Sequence, residues 1–79
     1  MYWNKVNNAC YMFAEKYHKS PMTIQMSEEL YKCLFDEMVG DQKLALIKTN
    51  SVRGLKIIIK ELDREFIISS AMNKMKVAY

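Results

Sequence analysis

The 79-residue chain has only two glycines, one proline, two cysteines and one histidine. With Gly40 and Gly54 alone, it has no glycine-rich phosphate loop and no dinucleotide-binding fingerprint. One histidine and two separated cysteines are too few for a structural zinc site within one chain. No apolar run approaches the length of a membrane span, and the N-terminal segment lacks the pattern of a signal peptide. We therefore expect a soluble, cytoplasmic protein with reduced cysteines and no cofactor.

Nucleophilic catalysis requires a nucleophile held against a base, and the chain offers few candidates. His18 falls at the predicted end of a helix, where a cationic side chain interacts well with the helix dipole. Cys10 and Cys33 lie on apolar helical stripes, which predicts that both thiols are buried in the core. We therefore expect that the protein is not an enzyme.

Apolar residues make up 51% of the chain, which predicts a packed core and one small domain over residues 1–79. The charges are distributed unevenly. Residues 1–41 contain four Lys and six Asp or Glu, whereas residues 42–79 contain eight Lys or Arg and three Asp or Glu. A basic segment of this kind is a solvated face, or the contact surface for an acidic protein or a nucleic acid.

Hydrophobic periodicity predicts an α+β fold. The predicted helices cover residues 3–18 and 28–39, and the predicted strands cover 22–26, 44–49 and two segments between 55 and 69. The expected architecture has two helices on one face of a small, largely antiparallel sheet of three to four strands, in the order α-β-α-β-β-β. Residues 70–79 are predicted to form a short helical turn with Met72 and Met75 packed, or a frayed tail.

Alternation along the segment LKIIIK places Leu55, Ile57 and Ile59 on one face of a strand and Lys56, Ile58 and Lys60 on the other. The second face is the candidate contact surface. The predicted partner-binding residues are Lys43, Lys48, Arg53, Lys56, Ile58 and Lys60. Lys74 and Lys76 would add charge if the tail folds back. No aromatic residue occurs between Phe35 and Phe66, although single-strand nucleic-acid binders usually offer aromatic platforms.

Several hydrophobic residues fall outside the predicted core pattern, and they are Tyr2, Tyr11, Met12, Ile58 and Ile67. If they face outward, they form an apolar patch for a partner or for a homo-oligomer. If the sheet is covered on both faces, Ile58 and Ile67 are core residues instead.

The segment FAEKYHKSPMTIQMSEELYKCLFDEM, residues 13–38, resembles a layout found in small accessory proteins of phages and prophages of low-GC Gram-positive bacteria. The segment LKIIIKELDREFIIS, residues 55–69, is similar to the next part of the chain in such proteins. The group includes virion components and stoichiometric inhibitors of host defence such as anti-CRISPR proteins. The resemblance implies a non-enzymatic inhibitor that binds a host protein or protein complex in the host cytoplasm. Many such inhibitors are acidic mimics of nucleic acid, whereas this chain has a net charge of +3. Its expected target surface is therefore acidic or apolar.

Overall fold

The computed structural model describes residues 2–70 and 75–78. Within these ranges the chain forms three helices and five strands, in the order α1 (Tyr2–Tyr17), β1 (Thr23–Met26), α2 (Glu28–Glu37), α3 (Gly40–Thr49), β2 (Ser51–Val52), β3 (Leu55–Ile59), β4 (Phe66–Ser69) and β5 (Lys76–Ala78). The strands form one mixed sheet in the order β2-β3-β1-β4-β5. β1 and β3 are parallel, and the other neighbours are antiparallel.

The α+β class predicted from the sequence is confirmed, but its details are wrong. Three helices replace the expected two, and five strands replace the expected three to four. The sheet is mixed because β1, in the centre, pairs in parallel with β3. A parallel pair requires a long crossover connection. Here that connection contains α2, α3 and β2.

Residues 44–49, predicted as a strand, form the second half of α3. α2 ends at Glu37, Met38 and Val39 are extended, and Gly40 has a positive φ of 60°. The chain then enters a new helix at once, and Asn50 ends that helix in the left-handed conformation. A short apolar run such as LALI fits a strand or a helix equally well, so its periodicity did not distinguish them.

The C-terminal segment also differs from the prediction. Residues Lys76–Ala78 form strand β5, which pairs with β4, rather than a helical turn. The Ser70 N–H donates to the Met75 carbonyl oxygen at 2.9 Å, which brings the two segments together. The predicted packing of Met72 lies outside the described residues.

The buried core lies between the three helices and one face of the sheet. Its members are Val6, Ala9, Cys10 and Phe13 of α1, Leu30 and Leu34 of α2, Met38, Leu46 of α3, and the strand residues Ile24, Met26, Val52, Leu55, Ile57, Phe66 and Ile68. Each fully buried large apolar side chain stabilises the fold by about 1.5–3 kcal/mol. None of the helices in the described ranges is both long and apolar enough to cross a bilayer.

Candidate partner-binding surface

The sheet face that points away from the core is defined by the strand register. Its residues alternate with the core residues along four strands, and we call them the second sheet face: Thr23, Gln25, Lys56, Ile58, Ile67, Ser69, Lys76 and Ala78. Gln25 and Ser69, at its centre, are buried, whereas Lys56, Ile58, Lys76 and Ala78 are exposed. The alternation arises from the pleat, because successive side chains point to opposite faces.

A polar row crosses four strands of the second sheet face. The register aligns Lys56, Thr23, Ser69 and Lys76 at the same level of β3, β1, β4 and β5. The Thr23 Oγ1 and Ser69 Oγ atoms are 2.6 Å apart and share a hydrogen bond. Both lysines are exposed. Three strand spacings place their Cα atoms about 14 Å apart, so two cationic groups flank a hydroxyl pair.

An apolar row lies next to the polar one. Ile58, Gln25, Ile67 and Ala78 are aligned across the same four strands. Gln25 lies between the two isoleucines and is only 8% exposed, whereas Ile58 is 36% exposed and Ile67 is half-buried. Two branched apolar side chains therefore shield the centre of the face and still present surface to solvent.

Lys60 follows the last residue of β3 and continues the backbone hydrogen bonding of that strand. The Lys56 N–H donates to the Met22 carbonyl at 3.0 Å, and the Lys60 N–H donates to the Met26 carbonyl at 2.9 Å. This regular ladder keeps Lys56, Ile58 and Lys60 on one side of the chain, as the sequence alternation predicts.

Ile59 departs from that alternation. It was predicted on the core side with Leu55 and Ile57, but it is 47% exposed. The reason is the length of β2, which has two residues and pairs with β3 only at Leu55 and Lys56. Among the described strands, the end of β3 is therefore paired with β1 on one side and with no strand on the β2 side.

Lys43 and Lys48 do not lie on the second sheet face, because their segment is a helix rather than a strand. The Lys43 Nζ lies 4.4 Å from the centre of the Phe35 ring, in a cation–π contact between α3 and α2. Lys48 is exposed in the last turn of α3. The structure therefore separates these two lysines from Lys56 and Lys60.

Arg53 also lies away from the second sheet face. It occupies the two-residue turn between β2 and β3, where Arg53 and Gly54 both have positive φ angles, as a tight hairpin requires. Its guanidinium lies 4.9 Å from the Tyr11 ring centre, so it packs against α1. Burial raises the pKa of the nearby Cys10 thiol, and the charge and hydrogen bond of Arg53 partly oppose that rise. Arg53 therefore joins the hairpin to α1.

Several other predicted features can be placed. Cys10 is buried as predicted, but Cys33 is exposed, which corrects the expectation that both thiols are buried. Of the candidate apolar patch, Tyr11, Met12 and Ile58 are exposed, while Tyr2 and Ile67 are half-buried.

Sequence reasoning missed the polar row. The alternation of β1 and β4 is visible in the sequence, but which residues stand side by side depends on the register of distant strands. Lys76 was expected to add charge only if the tail folds back, and β5 brings it to the edge of the second sheet face. Lys74 lies outside the described residues.

One depression on the described part of the surface is acidic. It is lined by Ser27, Glu28, Glu29, Glu61, Leu62 and Asp63, at the start of α2 and in the loop after β3. Glu28 and Glu29 are in the first turn of α2, where the helix dipole favours negative charge, and Ser27 accepts a hydrogen bond from the Leu30 N–H. No group of three or more His, Cys, Asp or Glu residues able to hold a metal ion occurs in the described ranges.

Comparison of the chain with protein-family models, with curated proteins and with solved structures gives no match.

Proposed function

We propose that this protein is a non-enzymatic binding module whose second sheet face docks on an acidic, partly apolar protein surface. The observation that carries the proposal is that Ile58 and Ile67, in the apolar row, lie next to exposed lysines on the second sheet face. An apolar centre with a charged rim is the usual composition of a protein–protein interface.

The electrostatics of the face support an acidic partner. Lys56, Lys60 and Lys76 are exposed on or beside it, and its defined residues include no Asp or Glu. Rim charges of one sign steer the approach of an oppositely charged partner and set the salt dependence of the association rate. The isoleucines would supply the desolvated contact at the centre.

We further propose, from the resemblance of residues 13–38 and 55–69 to phage and prophage accessory proteins, that the partner belongs to a host defence complex. The protein would then act as a stoichiometric inhibitor in the host cytoplasm. This role requires a stable contact surface and no catalytic group.

The test compares a charge-reversed face with a charge-reversed control. The variant Lys56→Glu/Lys60→Glu changes the second sheet face, and Lys19→Glu/Lys32→Glu changes two exposed lysines elsewhere. Each tagged protein is used for pull-down from lysate of a low-GC Gram-positive bacterium, with and without nuclease, and mass spectrometry quantifies the retained proteins. We expect the first variant to lose a nuclease-resistant partner by about tenfold or more, and the control to retain it.

Thermal unfolding of the same variants completes the test. Both should unfold within about 2 °C of the parent protein, because exposed charges contribute little to stability. Unchanged binding by a folded Lys56→Glu/Lys60→Glu protein would overturn the proposal. Unfolding of that variant would show that the two lysines are structural.

Nucleic acid is the second candidate partner, and the polar row favours it. Lys56 and Lys76 are exposed cations of the polar row and suit phosphates, whereas Ser69 between them is buried. Against it, no residue of the second sheet face is aromatic, so stacking on bases has no platform there. Retained material that disappears with nuclease, together with an affinity that falls steeply with salt, would establish this alternative.

A further inference from the structure

Helix α3 leaves two of its three large apolar side chains exposed. Leu46 is its one buried residue, whereas Leu44 is 47% exposed and Ile47 is 63% exposed. Val39, which precedes the helix, is 74% exposed and provides no side-chain cap. A ten-residue helix with so few packed side chains is marginal in isolation. Burial of its outer side would therefore stabilise it.

The outer side of α3 is a stripe with a charge at each end. At 100° per residue, Asp41, Leu44, Ile47 and Lys48 fall within about 120° of one another, and Leu44 points about 160° away from Leu46. We call these four residues the α3 stripe. Lys43 is half-buried over Phe35 and lies outside it. In the described ranges, neither Asp41 nor Lys48 is in an ion pair.

The α3 stripe is complementary to itself. It has one negative and one positive residue, so it does not select for an acidic partner. When two copies run antiparallel about a two-fold axis near Leu44, each Asp41 faces the Lys48 of the other copy, and Leu44 and Ile47 meet between them. A parallel arrangement would place like charges together. A two-fold contact uses the same patch on both copies, which this pattern satisfies.

We propose that two copies of this protein associate through an antiparallel pairing of their α3 stripes. This contact does not use the second sheet face and stands independently of the function proposed above. One ten-residue helix per copy buries less surface than a standard interface, so the dimer is weak, with a dissociation constant on the order of 100 µM.

The test is a charge swap followed by sedimentation equilibrium over a range of about 10 µM to 1 mM. Asp41→Lys and Lys48→Asp, made singly, each replace two attractive pairs by two repulsive ones. We expect each to weaken the dimer by about tenfold. The double variant Asp41→Lys/Lys48→Asp restores opposite charges across the axis, and its dissociation constant should return to within about threefold of the parent value.

A cross-link tests the geometry separately. In a Cys33→Ser background, Leu44→Cys places a thiol near the axis, and mild oxidation should convert the protein to a disulfide dimer. The control Lys32→Cys carries an exposed thiol on α2 and should remain monomeric. A parent protein that stays monomeric to about 1 mM, or a dimer that neither single charge change weakens, would overturn the proposal.

Discussion

At the scale of single residues, one carboxylate joins the start of α1 to the end of α2. The backbone N–H groups of Tyr2 and Trp3 donate to Glu37 Oε2 and Oε1, each at 3.1 Å. The first N–H groups of a helix have no partner within the helix, and a negative charge also interacts favourably with its dipole. Glu37 therefore satisfies two donors 34 and 35 residues away in the sequence.

Glu37→Gln should lower the free energy of unfolding by about 1–2 kcal/mol. The amide keeps one acceptor oxygen, but its NH₂ group faces the other backbone donor, and the charge is lost. Urea unfolding followed by circular dichroism measures the change. Asp36→Asn is the matched control because Asp36 is exposed beside it. Equal urea midpoints for the two variants would show that the hydrogen bonds from Tyr2 and Trp3 to Glu37 contribute nothing to stability.

The buried thiol of Cys10 predicts a dependence of stability on alkaline pH. Burial raises the pKa of this thiol in the folded protein. Its contribution to stability is then fully present below the pKa of the unfolded thiol, and it is lost as pH rises through the folded pKa. From about pH 7 to about pH 10, the free energy of unfolding should fall less steeply for Cys10→Ala than for the parent protein.

The comparison uses the slope of the free energy of unfolding against pH, and not its absolute value, because Cys10→Ala also leaves a small cavity. Urea unfolding at a series of pH values provides those slopes. Cys33→Ala is the control, since this thiol is exposed, and its slope should match that of the parent protein. A parent-like slope for Cys10→Ala would contradict the prediction.

At the scale of secondary structure, the strongly patterned elements were predictable and the weakly anchored one was not. The predicted helix at residues 28–39 corresponds to Glu28–Glu37, and Ser27 is its N-cap. α1 and the strands β1, β3 and β4 also lie close to their predicted positions. α3 was missed because Leu46 points away from Leu44, so its large apolar residues do not share one face and no helical period stood out. That same arrangement leaves Leu44 and Ile47 exposed.

Leu44 and Leu46 distinguish a helix from a strand at residues 44–49. In a strand the two side chains would share a face, whereas in α3 Leu46 is 2% exposed and Leu44 is 47% exposed. Leu46→Ala should lower the free energy of unfolding by about 2–3 kcal/mol, and Leu44→Ala by about 0.5 kcal/mol or less. Urea unfolding of dilute protein measures both. Similar losses for the two variants would contradict the helix.

At the scale of the whole molecule, the candidate surface depends on contacts that the sequence does not reveal. Alternation in the segment LKIIIK correctly predicts that Lys56 and Ile58 point to the same side. It does not reveal that β1 and β4 lie between Lys56 and Lys76. That order results from the parallel pairing of β1 with β3 across a long crossover. Non-local pairing of this kind is decided by packing of the complete chain, not by local preference.

The single core cluster predicts that the described elements unfold together. Trp3, the one tryptophan, packs against the same cluster that holds Ile24, Ile57 and Phe66 of the sheet. In urea, the fluorescence of Trp3 and the far-ultraviolet circular dichroism should therefore give one midpoint, with a total stability of about 5 kcal/mol. Phe66→Ala should move both midpoints down together, because it removes a fully buried side chain from the centre of the cluster. Two separate midpoints would mean that α1 unfolds independently of the sheet, and the buried cluster could not then be one cooperative unit.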